Sequence, residues 1–277
     1  MIRKFLIFST AIVLTLSVNA QKVIAGTFNL RYDNKGDTGN LWIDRAPIAA
    51  NLIRFHQFDV LGTQEGLSNQ ISDLQQYLPE YGHYGLGRDD GKTAGEHSSI
   101  FYRKDKYIVQ DSGDFWLSEH PEKPGFGWDA RNNRICSWLK LKSRQGKKTF
   151  FVFSVHFDHR GVVARRESGK LITEKIAAIA GTTPAILVGD FNGSNESEWY
   201  KTINESKQLE DAYTKAVKPY TNNGSFNSFR IGNPSSEIID HIFITKDFKV
   251  TRYGILTDTY HGKFPSDHYP VLVDLEF

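Results

Sequence analysis

The sequence is nearly without sulfur: 277 residues contain one cysteine and one methionine. Cys136 has no second thiol in its chain, so no internal disulfide can form and stability has to come from a packed core. It stands in Arg134-Ile135-Cys136-Ser137-Trp138-Leu139, a run with strand character, and reads as a buried small hydrophobe, not as a catalytic thiol. No internal repeat, low-complexity tract or linker divides the chain. A phosphate-binding P-loop is excluded: neither Lys92-Thr93 nor Gly169-Lys170 has glycine at the required spacing, and Leu171 follows Lys170 where a hydroxyl is needed. No serine or cysteine sits in a nucleophile motif, which points to direct attack by water.

Long apolar runs are also scarce. The exception is Phe5 to Val18, preceded by Arg3 and Lys4 and followed by Val18-Asn19-Ala20. That pattern is a secretory signal cleaved after Ala20, too short to span a bilayer comfortably. A membrane anchor is the lesser alternative, and no cysteine follows the run to accept a lipid. An exported protein, periplasmic or secreted, starting at Gln21 is expected. Cleavage removes Arg3 and Lys4 but no acid, which takes the formal charge from +2 to zero. A general field for polyanions is therefore missing, and affinity for nucleic acid would need a local patch.

What is present suits a large core: 39% hydrophobic and 13% aromatic residues. Short apolar runs bounded by turn residues predict strands over Lys22–Arg31, Asp59–Glu65, Tyr81–Gly87, Pro184–Val188, Ile238–Ile244, Lys249–Leu256 and Val271–Phe277. Ser98–Arg103 with Tyr107–Leu117 reads as an antiparallel pair, and Arg134–Lys142 with Lys148–Val155 as a hairpin. Helical spacing predicts a helix capped by Asp44 with Ile48, Leu52, Ile53 and Phe55 inside. A second carries Leu67, Ile71, Leu74 and Leu78 and stops at Pro79; a third, from Val162 to Ala180, has Leu171, Ile172, Ile176 and Ile179 as its inner stripe. A short helix near Glu198–Ile203 precedes a long polar span, Tyr213–Glu237. Many strands with few long helices indicate an α+β domain of two packed sheets with helices outside.

Polar residues recur where these strands end or begin: Asn29, Glu65, His156, Asp190 with Asn192, Asp240, and Asp267 with His268. Asp190 and Asn192 lie two apart in Gly189-Asp190-Phe191-Asn192, so both face one way while Phe191 turns into the core. A plain Asx turn would have the same sequence. Carboxylates gathered together repel unless a cation sits among them, and this set, rich in oxygen and amide and poor in imidazole, favours Mg²⁺, Mn²⁺ or Ca²⁺ over zinc.

Six motifs, Phe28-Asn29-Leu30-Arg31, Gln64-Glu65, His156-Phe157-Asp158-His159, Gly189-Asp190-Phe191-Asn192, Ile239-Asp240-His241-Ile242 and Ser266-Asp267-His268-Tyr269-Pro270, match in order those of the endonuclease/exonuclease/phosphatase superfamily. The chain resembles that family from Lys22 to Phe277. Its loops Gly87-Arg88-Asp89-Asp90-Gly91 and Gly127-Trp128-Asp129-Ala130 look like a secreted bacterial branch similar to the deadenylase and nocturnin-type phosphodiesterases. The resemblance implies a four-layer α/β/β/α sandwich with the site at one edge of the sheets. It implies that Glu65 binds a Mg²⁺ or Mn²⁺ ion with Asn29 beside it, and that Asp267 is a further metal or water contact. Asp190 would orient or deprotonate the attacking water, and Asn192 would hold a phosphate oxygen. His268, oriented by Asp240, would touch the phosphate, while His156 would protonate or stabilise the leaving oxygen.

Asp158 is a candidate for a second metal or for a cap on the following helix, and His159 is read as structural. His241 should point away from the cleft by strand alternation. Arg131 and Arg134 compete for one phosphate-binding role, and Trp128 is a candidate to stack on a base or sugar. The expected activity is metal-dependent phosphodiester hydrolysis by a monomer with no obligate protein partner. The alternative within the family is a phosphomonoesterase acting on phospholipid or sugar phosphate, and outside it a silent binding module. The substrate could be nucleic acid, nucleotide, lipid headgroup or sugar phosphate, since the fold does not choose. A glycosidase with two carboxylates is disfavoured, because it has no use for Asn29, Asn192 or two histidines.

Overall fold

Along Lys22–Asn29 the side chains alternate: Val23 and Ala25 enter one apolar cluster, while Ile24 and Phe28 enter another. Both faces of this strand are therefore buried, and the same holds for its counterpart Ala185–Asp190. That demands layers on either side. The structure is a computed structural model describing residues 21–232 and 235–277; the expected signal segment, residues 1–20, lies outside them.

β1 (Lys22–Asn29), α1 (Trp42–Phe55), β2 (Val60–Gln64), α2 (Ser68–Tyr77), β3 (Tyr81–Tyr84) and β4 (Ile100–Arg103) build most of one sheet and its helices. The chain then crosses to a second sheet through β5 (Tyr107–Trp116), β6 (Ile135–Ser143), β7 (Thr149–His156), α3 (Val162–Ala180), β8 (Ala185–Asp190), α4 (Glu198–Glu205), β9 (Glu210–Asp211), α5 (Ala212–Lys215) and β10 (Asp240–Ile244). It returns to the first sheet with β11 (Lys249–Ile255) and β12 (Val271–Glu276). The six-stranded sheets run β11-β12-β1-β2-β4-β3 and β5-β6-β7-β8-β10-β9. Three apolar clusters fill the spaces between layers: α1 and α2 on the first sheet, sheet on sheet, and α3 and α4 on the second. This is the four-layer α/β/β/α sandwich.

Each sheet is antiparallel except at its centre, where β1 lies parallel to β2 and β7 to β8. A parallel pair needs a crossover, and α1 and α3 supply them on the outer faces. The pairs end together, so four strand C-termini meet at one edge. The N-terminal ends of β10 and β12, antiparallel to β8 and β1, arrive at the same edge.

Beneath that edge the sheets come unusually close. Gln64 accepts a hydrogen bond from Thr27 Oγ1 at 3.0 Å and donates to Ser154 Oγ of the other sheet at 3.3 Å. A Cβ on Gly62 would lie 2.3 Å from Val188 Cγ2, so only glycine allows the approach.

Several expectations change. The antiparallel pair between Ser98–Arg103 and Tyr107–Leu117 does not form: β4 pairs with β2 and β3, and β5 with β6 across the sandwich. The turn at residues 104–106 carries the chain between sheets, and neighbourhood in sequence does not decide pairing there. α1 starts at Trp42, ahead of Asp44, because Trp42 is buried and donates its indole N–H to Asp73 at 2.8 Å. Its buried face includes Arg45, Ala46, Ala49, Leu52 and Ile53, which leaves Phe55 78% exposed. In α3, Ile172 and Ile176 are buried, while Leu171 and Ile179 are half-buried at the rim of that cluster.

Gly62→Val is expected to lower stability by about 1–3 kcal/mol or more, because the added methyls meet Val188 and Ser154 in a filled space. Urea unfolding of the two proteins checks this; an unchanged midpoint would contradict the close approach of the sheets.

Candidate active site

In the second sheet His156 is paired with Asp190, and Asp190 with Asp240, so one row across β7, β8 and β10 carries all three. Neighbouring strands lie about 4.8 Å apart, which forces these groups together. Across from them, Asn29 ends β1, Glu65 follows β2, and Asp267 and His268 precede β12. Arg31, Glu65 and Asn192 have positive φ (55°, 62° and 49°), a backbone state costly for residues with side chains. Each lies one or two residues past a strand end, where the reversal turns the chain across the edge. A cleft of about 580 Å³ results.

The side chains lock one another. Asn29 Nδ2 donates to Glu65 Oε1 (3.1 Å) and to Asp190 Oδ2 (3.0 Å), while its Oδ1 accepts from the Arg31 N–H. Asp190 Oδ1 accepts from the Asn192 N–H at 2.9 Å, so the Asx turn exists alongside the cleft-facing carboxylate. Asn192 Nδ2 reaches both Phe157 O (3.0 Å) and His156 Nε2 (3.1 Å). His156 Nε2 thus meets a donor in Asn192 and lies 3.5 Å from Asp190 Oδ2, while its Nδ1, 3.8 Å from Glu96, has no hydrogen-bond partner among the described residues. His268 Nδ1 lies 2.9 Å from Asp240 Oδ2, and its Nε2 faces Asp190 Oδ2 at 3.8 Å. Phe191 is fully buried and stacks on Trp199 at 4.8 Å, and His241 points to the outer cluster with it.

Charge divides the two histidines. Burial, with Arg134 and Arg88 adding, holds His156 well below its ordinary pKa. Burial works against a charged His268 as well, but Asp240, Asp190 and Asp267 outweigh it and hold that imidazole well above its ordinary value. Burial and then the adjoining Asp240 push Asp190 up to about 7. Burial raises Asp267 to about 6, with His268 opposing and Glu65 adding to the rise.

Four candidates from the motifs take other places. Asp158 is buried and its oxygens are filled: Oδ1 accepts from the N–H groups of Arg160 and Gly161, and Oδ2 from Asn132 N–H and Arg134 Nε. It has no lone pair left for an ion and caps the turn into α3. Of the two arginines, Arg134 is buried on the cleft wall, whereas Arg131 is exposed and does not line it. Trp128 does not line the cleft either; Asp129 in its loop binds the N–H groups of Val163 and Ala164 and fixes the loop over α3. Asn29 has one lone pair of its oxygen on Arg31 N–H and gives its amide hydrogens to Glu65 and Asp190, as a spacer between two carboxylates. His159 does line the cleft, with Nδ1 at 3.1 Å from Arg134 Nη2.

Arg31, Arg88 and Glu96 also line the cleft; Arg31 stands in a family motif and Arg88 in a family-like loop without an assigned role, and Glu96 stands in neither. Arg45 is hidden still more completely: fully buried, it donates to the carbonyls of Leu30, Arg31, Asn40 and Pro265 and so clamps the turns that carry Arg31 and Asp267. An arginine on a helix gives no sequence signal of such a role.

Two sets of side chains could hold a hard cation. Asp190, Asp240 and His268 offer one ligand atom each within 4.8 Å of one another. In that set, however, His268 and Asp240 already bond to each other and Asp190 has both oxygens engaged. Glu65 and Asp267 fit better because of Asp267. Glu65 accepts one hydrogen bond on each oxygen, from Asn29 Nδ2 and the Tyr32 N–H. Buried Asp267 has Ser266 Oγ at 3.4 Å and Arg31 Nε at 3.8 Å as its nearest partners among the described residues, and Glu65 adds to its repulsion. An under-compensated pair of carboxylates in a polar cleft suits a divalent ion with oxygen ligands.

An α+β sandwich with carboxylates, amides and two imidazoles at the meeting edge of its sheets defines a class of phosphoester hydrolases. The Endonuclease/Exonuclease/phosphatase family profile matches residues 26–268, and the chain belongs to that family. Members hydrolyse phosphoesters, typically with divalent metals. A family protein of Bacteroides thetaiotaomicron is 43% identical with a TM-score of 0.91, covering 93% of this chain and 98% of that one. A mannosyl-6-phosphatase of the same organism is also 43% identical, with a TM-score of 0.90 and coverage of 92% and 100%. The human Nocturnin catalytic domain shares the fold at 18% identity, with a TM-score of 0.73 and coverage of 92% and 94%.

The Asp158–Arg134 pair forms the wall of this cleft, and its loss is measurable apart from activity. Asp158→Ala is expected to cost about 3–5 kcal/mol, since it leaves Arg134 buried without its carboxylate. Burial opposes the Asp158 charge, but the Gly161 and Arg160 N–H groups and Arg134 more than offset it and hold the carboxyl below its usual range. Its stabilisation is therefore complete above the unfolded value, about 3.9, and is lost as pH falls through the lower folded value. Urea titrations between pH 2 and 7 should show the variant losing part of the wild-type acid dependence; equal slopes would contradict the assignment.

Proposed function

We propose that this protein is an exported, divalent-metal-dependent phosphatase that releases phosphate from a phosphorylated sugar or similar small alcohol. The observation that carries the hydrolytic reading is the row His156–Asp190–Asp240 facing Glu65, Asp267 and His268 across one cleft. Glu65 and Asp267 would hold the ion, which when bound neutralises phosphate charge and lowers the pKa of water. Asp190 accepts the proton of the attacking water and is kept in place by Asn29 and the Asn192 N–H. His268, oriented by Asp240, presents Nε2 to a phosphate oxygen. Asn192 is better suited to hold His156 than to bind phosphate, because its amide nitrogen is already spent.

The choice of sugar phosphate over nucleic acid is supported by the mannosyl-6-phosphatase, similar over almost its whole length. The likeness to Nocturnin is much lower and carries the fold alone. Zero formal charge after loss of Arg3 and Lys4 also disfavours a long polyanion. Tyr32 and Phe226, half-buried in the cleft lining, offer flat apolar faces for a sugar ring.

Mannose 6-phosphate, RNA, a dinucleotide and a phospholipid, each assayed with Mg²⁺ and Mn²⁺, test the reading. Phosphate should be released from the sugar ester and not after EDTA treatment; turnover that survives chelation would refute the metal dependence. Asp190→Asn and His268→Ala should each lower kcat/KM by about 10²–10⁴-fold, and near-normal activity in either would refute its role. Export is supported by Phe5–Val18 and predicts a mature N-terminus at Gln21; recovery of the intact leader on the purified native protein would contradict it.

A further inference from the structure

Two guanidinium groups on one wall of the cleft are anchored by the protein and still have a nitrogen to spare. Arg134 is 3% exposed; its Nε binds Asp158 Oδ2 at 3.2 Å and its Nη2 lies 3.1 Å from His159 Nδ1. Its Nη1 is buried and has no hydrogen-bond partner among the described residues. Arg88, with 11% of its side chain exposed, is held by Glu96 through Nη1, and Trp116 Nε1 pins its backbone carbonyl at 2.7 Å. Its Nε is likewise buried and without a hydrogen-bond partner among the described residues, with Asp89 Oδ1 at 4.0 Å. Both arginines line the cleft beside His156.

We propose that Arg88 and Arg134 form a paired seat for one terminal oxygen of phosphate and thereby restrict the site to phosphomonoesters over phosphodiesters. This rests on the phosphatase reading above and adds the residues that set its preference for monoesters. A buried guanidinium nitrogen without a partner is costly, and two such groups side by side repel. After burial and Glu96, the charge of Arg134 is the next largest influence on Arg88, so the two are close enough to feel each other. A small anion between them removes both costs.

The geometry of the ester then decides what fits. A monoester has three terminal oxygens, and a diester has two, its third position being substituted. The carboxylate side of the cleft, with the ion it would hold, and His268 account for two. The third reaches the opposite wall, where Arg88 and Arg134 wait as rigid donors, each fixed by its own carboxylate, Glu96 or Asp158. A diester would press its second carbon substituent against these buried charges and leave them unpaired. A purely structural role would need no such unpartnered donors in residues that line the cleft.

The test compares p-nitrophenyl phosphate with bis-p-nitrophenyl phosphate in Mg²⁺, using the full-length mature protein and Arg88→Met. Wild type should prefer the monoester. In the variant the monoester-to-diester ratio of kcat/KM should fall by about 10- to 100-fold, and inhibition by inorganic phosphate should weaken by a similar factor. If Arg88→Met does not fold because Glu96 is left unpaired, Arg88→Met with Glu96→Gln removes the pair together. Any effect of Glu96 on the chemistry is then shared by both esters and cancels in the ratio. A folded variant with an unchanged ratio and unchanged phosphate inhibition overturns the proposal while leaving the hydrolase reading intact. So does a wild type that cleaves both esters equally. A wild type that cleaves neither, with Mg²⁺ or Mn²⁺, overturns both.

Discussion

Mutual repulsion among buried acids is the constraint around which this molecule is built. Asp190 and Asp240 sit side by side on neighbouring strands, Asp267 lies across from them, and Glu65 adds to its charge. Such a group would disperse or protonate in an unsupported protein. Here the strand ends are tied down from below. Gln64 links the two sheets through Thr27 and Ser154, and Gly62 lets them close. Ser266 Oγ donates to Asn29 O at 2.7 Å and joins the start of β12 to the end of β1. The acids cannot separate without unzipping a sheet.

Compensation comes from above, by cations of different kinds. Arg45, fully buried, spends its hydrogen bonds on four backbone carbonyls and so positions loops without quenching any carboxylate directly. Arg31 pairs with Asp37 at 2.9 Å and keeps Asp267 only at 3.8 Å, which leaves that acid hungry for a counter-ion. Arg134 and Arg88 pair with Asp158 and Glu96 and line the cleft beside His156. The cleft thus interleaves acids and guanidinium groups, an arrangement suited to phosphoryl transfer, which works by charge placement more than by covalent chemistry.

Much of the fold was legible in the residues. Alternation over Lys22–Arg31 and the short apolar run Pro184–Val188 marked the two central strands, and the span Val162–Ala180 emerged with its boundaries. The motif residues at strand ends, Glu65, His156, Asp190, Asn192, Asp267 and His268, all line one cleft, because a polar residue terminating an apolar strand must surface at a sheet edge. Pairing was less legible: β4 and β5 are successive strands in different sheets, and nothing in a short turn says which side of the sandwich comes next. Loop residues were least legible. Trp128 and Arg131 have the right chemistry but stand outside, whereas Arg88 and Glu96 stand inside, since a loop's path depends on anchors such as Asp129 on α3.

The sequence by itself determined the kinds of groups available and which of them end strands, since both follow from composition and local alternation of side chains. Only the tertiary structure decided that His156 has its pKa held down by burial beside two arginines, while His268 is embedded among carboxylates, which outweigh burial and hold its pKa up. It also decided that Asp158 is consumed by four hydrogen bonds while Asp267 is left nearly free. The reason is range. Strand character is set by neighbours a few residues away, but the protonation and freedom of a side chain depend on charges brought within a few ångströms by long-range contacts, such as that of Ser266 with Asn29 across 237 residues of chain.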